Sequence, residues 1–440
     1  MTAGAMKIKF QLLYYFIRGL FTAKFRRFHS KEKLIHWQKT QFKRLQKKAL
    51  IHSPFYQPYS KGVLADYPKT NKKQHMANFN LINTQRLDRD QALDIAIYSE
   101  KNRDFNTSYG DYSVGLSSGT SGNRGLFVAS AAERAEWAGY IIGKMLPLVC
   151  YQHRIAFFLR ANNKLYETTN NSVIDFHFFD LIHSPDSHIH KLNALNPTVL
   201  IAPAQILLQL AQLPKQQLSI SPKKIISVAE VLDKNDQAII KDRFNQTIHQ
   251  IYQCTEGFLA CTCRYGHLHL NEDLVIIEKH WLDKKSGRFM PVVTDFRRYT
   301  QPIIRYQLDD ILIIETQACP CGSPFTRIKA IEGRCDDIFK MRSLQGELQS
   351  IYPDFIRNNL IASHSELEEY RVIQHDIDMI EIQIHPYSEV LINAVQTNLT
   401  FLWRQLKISE PHYQFSKWSA SSALNKQRRI QSLIKEPSHG

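Results

Sequence analysis

A chain of 440 residues, 43% hydrophobic and 22% charged, is long enough for two or three packed domains and too balanced in composition to be disordered. Its formal net charge of +15 invites a nucleic-acid reading, but residues 1–60 hold thirteen Lys/Arg against the single acid Glu32. That arm therefore carries +12 and the rest of the chain only +3, whereas a duplex-tracking surface spreads over a folded module, so nucleic-acid binding is not expected.

The basic arm, residues 1–60, is read as helical and as part of the N-terminal domain. Its apolar stretch from Ile8 to Phe21 is interrupted by Lys9 and Arg18 and falls short of the ~18 to 20 residues that span a bilayer. No small-residue cleavage site follows a clean apolar run, so a signal peptide is not expected and a cytoplasmic location is. Basic and aromatic residues mixed at helical spacing suit peripheral contact with anionic lipid. The simpler expectation is a helix that packs its apolar stripe on the main domain.

After Pro-punctuated loops, the segment VGLSSGTSGNRGLFV sets Ser117, Ser118, Gly119, Thr120, Ser121 and Gly122 between two apolar runs that read as strands. Glycines let backbone approach an anion, and hydroxyls with backbone N–H groups offer donors to phosphate oxygens. The segment therefore reads as a phosphate cradle, with an ordinary Ser/Gly hairpin loop as the alternative. The P-loop spacing of nucleoside triphosphatases is absent. From about 130 to 335, short Ile/Val-rich runs (RIAFFL at 154–159, TVLIAP at 198–203, KIISVA at 224–229, LVIIE at 274–278) alternate with helix-length segments, which predicts an α/β body of helix-covered sheets. Beyond 335, EYRVIQHDIDMIEIQIHP alternates like two antiparallel strands and SEVLINAVQTNLTFLWRQL reads as a helix. The domains expected are residues 61–334, joined by the arm, and a small C-terminal α+β domain, 335–440.

Seven cysteines, Cys150, Cys254, Cys261, Cys263, Cys319, Cys321 and Cys335, form an odd set that argues for thiols or a metal site over a disulfide framework. Two C-x-C pairs and the histidines of CTCRYGHLHL make a Cys/His/Cys/Cys zinc site arithmetically available. Reduced cysteines in packed strands are the alternative.

Further segments follow the Ser/Gly loop in order: SVAE at 227–230, YQCTEG at 252–257, QPIIRYQLDD at 301–310, CPCGSPFTRIKAIEGRCDDIF at 319–339 and LNKQRRI at 424–430. With the loop they resemble the motifs of the adenylate-forming ligases, in the branch of the phenylacetate-CoA ligases and the AMP-transferring coenzyme synthetases related to them. The resemblance implies a large adenylate-forming domain, a small mobile C-terminal domain, and an ATP-dependent activation of a carboxylic acid, by family analogy an aryl acid, as its acyl-adenylate. The acyl group then passes to a thiol, coenzyme A. It implies a nucleotide site of Ser117 to Gly122, Ala229, Glu230, Tyr252 against adenine, Thr255, Asp310 on the ribose (Asp309 competing), Arg327 and Arg334. Glu256 is implied as the Mg²⁺ ligand, Arg305 and Lys426 as catalytic cations, and Asp336 as the hinge. A solvated tail is the alternative for Lys426 and an exposed turn for Arg334 and Asp336. The same likeness selects Cys263, His269, Cys319 and Cys321 for a structural zinc, with Cys261 and His267 as nearby substitutes.

Two departures bear on this. Gln253 and QLDD stand where the family has smaller residues, which predicts a narrowed pocket, and Asn425 replaces the glycine before the lysine. Two rival functions stay open: adenylation with a non-CoA acceptor or AMP itself as the transferred group, and a degenerate nucleotide-binding or scaffold protein with a membrane-facing arm. Oligomeric state is not read from the sequence, a homodimer being one option.

Overall fold

The computed structural model describes residues 3–102, 104, 107–117, 125–147, 152–159, 174–181, 183, 185–334, 337–364, 366–419 and 429–434. They divide into two compact units, residues 1–308 with 314–329, and residues 309–313 with 330–440.

In the first unit the arm forms helices α1 (Ala3–Phe25) and α2 (Lys31–Lys48), the second capped by the Ser30 side chain. Short helices α3 (Lys72–Ala77) and α4 (Phe79–Ile82) and the longer α5 (Arg89–Asn102) follow. A hairpin then pairs β1 (Tyr112–Leu116) with β2 (Leu126–Ser130), in register from Tyr112–Ser130 to Leu116–Leu126. Ser130 closes the hairpin and opens helix α6 (Ala131–Met145). Its hydroxyl accepts from the Glu133 N–H while Glu133 reaches back, a capping box that sets strand and helix at a fixed corner.

Next come β3 (His153–Leu159), β4 (Ile174–Asp180), β5 (Val199–Pro203), β6 (Lys224–Val228) and β7 (Ile248–Cys254), which lie side by side in the parallel order β4-β3-β5-β6-β7. Both faces of such a sheet are covered, which explains the continuous apolar runs. Phe158, Leu200 and Ile225 pack with Leu207 and Leu210 of the helix Ala204–Gln212 and with Ile240 of the helix Lys234–Phe244. Antiparallel β8 (Gly257–Thr262) and β9 (Leu268–Leu270) extend the sheet. Strands β10 (Val275–Asp283), β11 (Arg288–Asp295) and β12 (Tyr306–Gln307) form a further antiparallel ribbon. Strand β13 is Asp310–Ile314, and β14 (Arg327–Arg334) pairs with β9 at Arg327–His269.

The second unit has a hairpin of β15 (Phe339–Arg342) and β16 (Leu348–Ile351), and a sheet of β17 (Glu369–Asp376), β18 (Met379–His385), β19 (His412–Lys417) and β20 (Ile430–Ser432) in the order β19-β18-β17-β20. The alternating segment forms the antiparallel pair β17–β18. The helix Glu389–Leu406 buries Leu391, Val395, Leu399, Leu402 and Trp403 against it at three- and four-residue spacing.

Helix α1 packs on α6 with little between the backbones. A Cβ on Gly19 would stand 2.1 Å from the Glu136 carbonyl, and one on Gly139 2.1 Å from that of Phe16, so only glycine permits this approach. Arg18 pairs with the buried Glu136 across the contact, and Arg297 pairs with the same carboxylate. The expectation of a helix packed on the main domain thus matches one side of α1. Among the described residues no helix is long and apolar enough to cross a membrane.

Candidate active site

The base of the Ser/Gly loop is held shut by two hydrogen bonds of 2.7 Å, from the Ser117 N–H to the Gly125 carbonyl and from the Gly125 N–H to the Ser117 hydroxyl. These bonds close the open end of the β1–β2 pair. Ser118, Gly119, Thr120, Ser121 and Gly122 lie outside the described residues.

Beside this base a cleft is lined by Lys72, His75 and Met76 of α3, Gly125 to Phe127, Thr255 and Glu256, and Arg298, Gln301, Ile303 and Tyr306. Thr255 and Glu256 follow the carboxyl end of β7, and Val228, Ala229 and Glu230 leave the carboxyl end of its parallel neighbour β6. The carboxyl edge of parallel strands is where open α/β sheets place their ligands. Glu256 is buried and accepts a hydrogen bond of 2.9 Å from the Thr255 hydroxyl. Tyr252 is buried at the end of β7 opposite Ala260. Ala229 takes a left-handed φ of 67°, and the Glu230 carboxylate accepts from the Gln205 N–H.

Four cleft residues lie outside the segments singled out from the sequence, Lys72, His75, Met76 and Arg298, and Gln301 opens one of those segments without a role of its own. The segment 297–301 is fixed by the other side chains around it. Glu133 accepts from the N–H groups of Tyr299 and Thr300, and Gln301 clamps β2 through the Val128 N–H and the Leu126 carbonyl. Arg297 is neutralised by Glu136. Arg298 is left differently: its Nε and one terminal nitrogen are buried without a hydrogen-bond partner, and it lines the cleft. A half-buried guanidinium that lines a hollow and carries two unpaired nitrogens suits an anionic ligand. His75 is buried, and burial pushes its imidazole down to about 4, so it stands neutral beside Tyr306. Burial likewise raises the Asp295 carboxyl to about 6. No single motif joins these residues, and only the pinned 297–301 turn brings them together.

Arg305 does not occupy the cleft as a free cation. Its guanidinium makes a bidentate pair with Glu278 at 2.9 and 3.0 Å and donates to the carbonyls of Ala65 and Tyr67, each at 2.9 Å. With a φ of 45°, it ties the 65–70 segment to β10, which is a positioning role. Gln253 does not narrow the pocket either. A bulge between Tyr252 and Gln253 turns the glutamine outward, where it is exposed. Asp310 opens β13, half-buried beside Asp309, and Arg327 donates to the Gln317 carbonyl at 3.3 Å. Arg334 ends β14; Asp336 and Lys426 lie outside the described residues, although the chain re-enters at Arg429, whose carbonyl accepts from the Val372 N–H.

A second constellation lies apart from the cleft residues. Two tight turns, Cys263–Gly266 and Cys319–Gly322, each end on a left-handed glycine whose N–H returns to the cysteine carbonyl at 2.9 and 3.0 Å. They bring Cys263, His269, Cys319 and Cys321 together, with ligand atoms all within 4.8 Å of one another. His269 is buried with Nδ1 at 3.2 Å from the Phe325 carbonyl, which leaves Nε2 facing Cys321 at 3.6 Å. Burial pushes the Cys319 thiol up, but hydrogen bonds from the Cys321 backbone and from His267 and His269 outweigh it and bring it to about 6. Burial raises Cys321 to about 11. Cys261 stays outside the cluster, buried and bonded to Asn271.

No family model matches the chain. The phenylacetate-coenzyme A ligase of Thermus thermophilus is 25% identical over 123 residues, a match that covers 25% of this chain and 26% of that protein. The chain thus matches only about a quarter of that relative's length. Among solved structures, 2-hydroxyisobutyryl-CoA ligase in its postadenylation state, in complex with an acyl-AMP, superposes with a TM-score of 0.66 at 14% identity, covering 93% of this chain and 91% of its own. The anthranilate-CoA ligase bound to anthranoyl-AMP gives 0.51 at 14% identity, covering 71% and 66%. The fold is that of the adenylate-forming CoA ligases.

Proposed function

We propose that the chain is an ATP-dependent, AMP-forming ligase. A carboxylate, by analogy an aryl acid, attacks the α-phosphate of ATP; the bond to the β-phosphate breaks and pyrophosphate leaves, giving acyl-AMP. The thiol of coenzyme A then takes the acyl group as AMP departs. The observation that carries this reading is the cleft between the hairpin loop base and Glu256, which is lined by Arg298, a guanidinium with two unpaired nitrogens. Such a reaction puts negative charge on phosphorus and on the leaving group, so fixed cations and donors matter more than covalent chemistry.

Within this reading the Ser117–Gly122 loop cradles the phosphates and Arg298 and Lys72 face the departing pyrophosphate. Tyr252 with the Ala229–Glu230 segment borders the adenine, and Asp310 accepts the ribose hydroxyls. Arg327 and Arg334 belong to the same nucleotide site and Asp336 to the hinge. Glu256 and the Thr255 hydroxyl form a hard oxygen donor set that fits magnesium, which neutralises phosphate charge when bound. Lys426 supplies a cation to the first transition state, and Arg305 holds the 65–70 segment in place.

The Lys426→Ala variant should lose at least ~10²-fold in acyl-AMP formation while still binding ATP in calorimetric titration. Acyl-AMP formation at the wild-type rate would remove Lys426 from the mechanism. Pyrophosphate release without consumption of coenzyme A would instead assign the second step to an amine, a hydroxyl, a carrier thiol or AMP transfer.

The thiolate–imidazole set Cys263, His269, Cys319 and Cys321 fits a structural zinc: soft donors, a closed set of four, and an imidazole oriented by a backbone carbonyl. Zinc there stabilises the two turns and takes no part in the reaction.

A further inference from the structure

A helix that is apolar on all sides calls for cover on all sides. Helix α1 has cover on one. Gly19 and Ala23 face α6, whereas Phe10, Leu13, Tyr14, Ile17, Phe21 and Phe25 are each between 43% and 66% exposed. Their spacing of three, one, three, four and four residues puts all six on a single stripe of about 120°. Four of the six are aromatic, the residue types that settle at the boundary between water and acyl chains.

The arm that carries the stripe is strongly basic. Residues 1–48 hold thirteen Lys/Arg against the single, exposed acid Glu32, and the first 31 hold seven Lys/Arg and no acid. Arg27 is exposed, as are Lys33, Lys39, Lys43, Arg44, Lys47 and Lys48 on α2. The contact with α6, through close-packed glycines and the Arg18–Glu136 pair, anchors the helix to the body while its outer face stays free. Since no described helix can cross a membrane, the stripe suits a helix lying in the plane of a surface.

We propose that the outer face of α1 docks on an anionic lipid bilayer, its six apolar side chains entering the headgroup boundary and the lysines and arginines of the arm meeting the lipid phosphates. A second copy of the chain would satisfy the apolar stripe equally well, but two such faces would bring like charges together, whereas anionic lipid neutralises them. The attachment is independent of the ligase reading.

The test is co-sedimentation of the full chain with phosphatidylcholine vesicles, with and without phosphatidylglycerol. The expected result is binding to the anionic vesicles that weakens as salt is raised. F10E/F21E should reduce it about tenfold or more, and Arg27→Glu with Lys33→Glu should weaken it too, with thermal melting unchanged in both. All these positions are exposed, so the variants leave the core intact. Wild-type protein that stays in the supernatant, or an F10E/F21E variant that binds as well as wild type, would overturn the proposal. So would a dimer in sedimentation velocity that F10E/F21E dissociates while vesicle binding is absent, since the stripe would then be covered by a second copy.

Discussion

At the scale of single residues, the structure separates two neighbouring arginines by what holds them. Arg297 is paired with Glu136 and leaves only its Nε buried without a partner, whereas Arg298, which lines the cleft, has both its Nε and a terminal nitrogen without one. Nitrogens buried without hydrogen bonds cost stability, so replacing Arg298 should not lower the melting temperature. We expect Arg298→Ala to melt no lower than wild type while ATP–pyrophosphate exchange falls ~10²-fold, with partial recovery in Arg298→Lys. A variant that melts well below wild type with exchange intact would make Arg298 structural. His75 and Asp295 make a second test, with opposite signs. His75, facing Glu256 and Arg298, has its folded pKa lowered to about 4 from 6.5. The unfolded chain therefore binds its proton first, and wild type loses roughly 3 kcal/mol through His75 as pH falls from 6.5 to 4. Asp295, near Arg297, Arg298 and Glu133, is raised to about 6 from 3.8, so the folded state binds its proton first and gains stability as pH falls through that window. Denaturant melts should show His75→Gln gaining on wild type as pH falls from 6.5 to 4, and Asp295→Asn falling behind it as pH falls from 6 to 3.8. Parallel curves for either variant would contradict the assignment. None of these residues is legible in the sequence: His75 takes its meaning from Glu256 and Arg298, and Arg297 from Glu136, all more than a hundred positions away, and no motif marks Asp295 and Arg298. Arg305 shows the same limit from the other side. Its motif was visible, but its engagement with Glu278 was not.

At the scale of elements, far more was legible. The Ser/Gly segment reads as a loop because its residues tolerate turn geometry and its flanks alternate as strands, and the structure closes the loop base with the Ser117–Gly125 bonds. The strand β17, the strand β18 and the helix Glu389–Leu406 follow directly from period-2 and period-3.6 patterns. The cysteine turns were legible as spacing, since C-x-C pairs limit where thiols can point, but spacing alone could not choose between Cys261 and Cys263. The β8 strand decides it: Cys261 is buried within the strand beside Asn271, while Cys263 begins the turn. Purified protein should carry about one zinc per chain, and Cys319→Ser should lower both zinc content and melting temperature. Metal-free protein of full stability would remove zinc from the account. Helix α1 was only half legible: composition showed an apolar, basic segment, but only the α6 contact shows which side is covered.

At the scale of the whole molecule, the central claim is that this fold activates a carboxylate on ATP. The body supplies a cleft at the carboxyl edge of a parallel sheet, and the second unit carries the segment that contains Lys426. Overall architecture was readable from the order of motifs along the chain, because each marks the end of a strand or a turn. The most direct test is ATP–pyrophosphate exchange with magnesium across a panel of aryl and aliphatic acids. Exchange should require both magnesium and one class of acid and proceed without coenzyme A. Protein that binds ATP yet exchanges no pyrophosphate with any acid of the panel would contradict it.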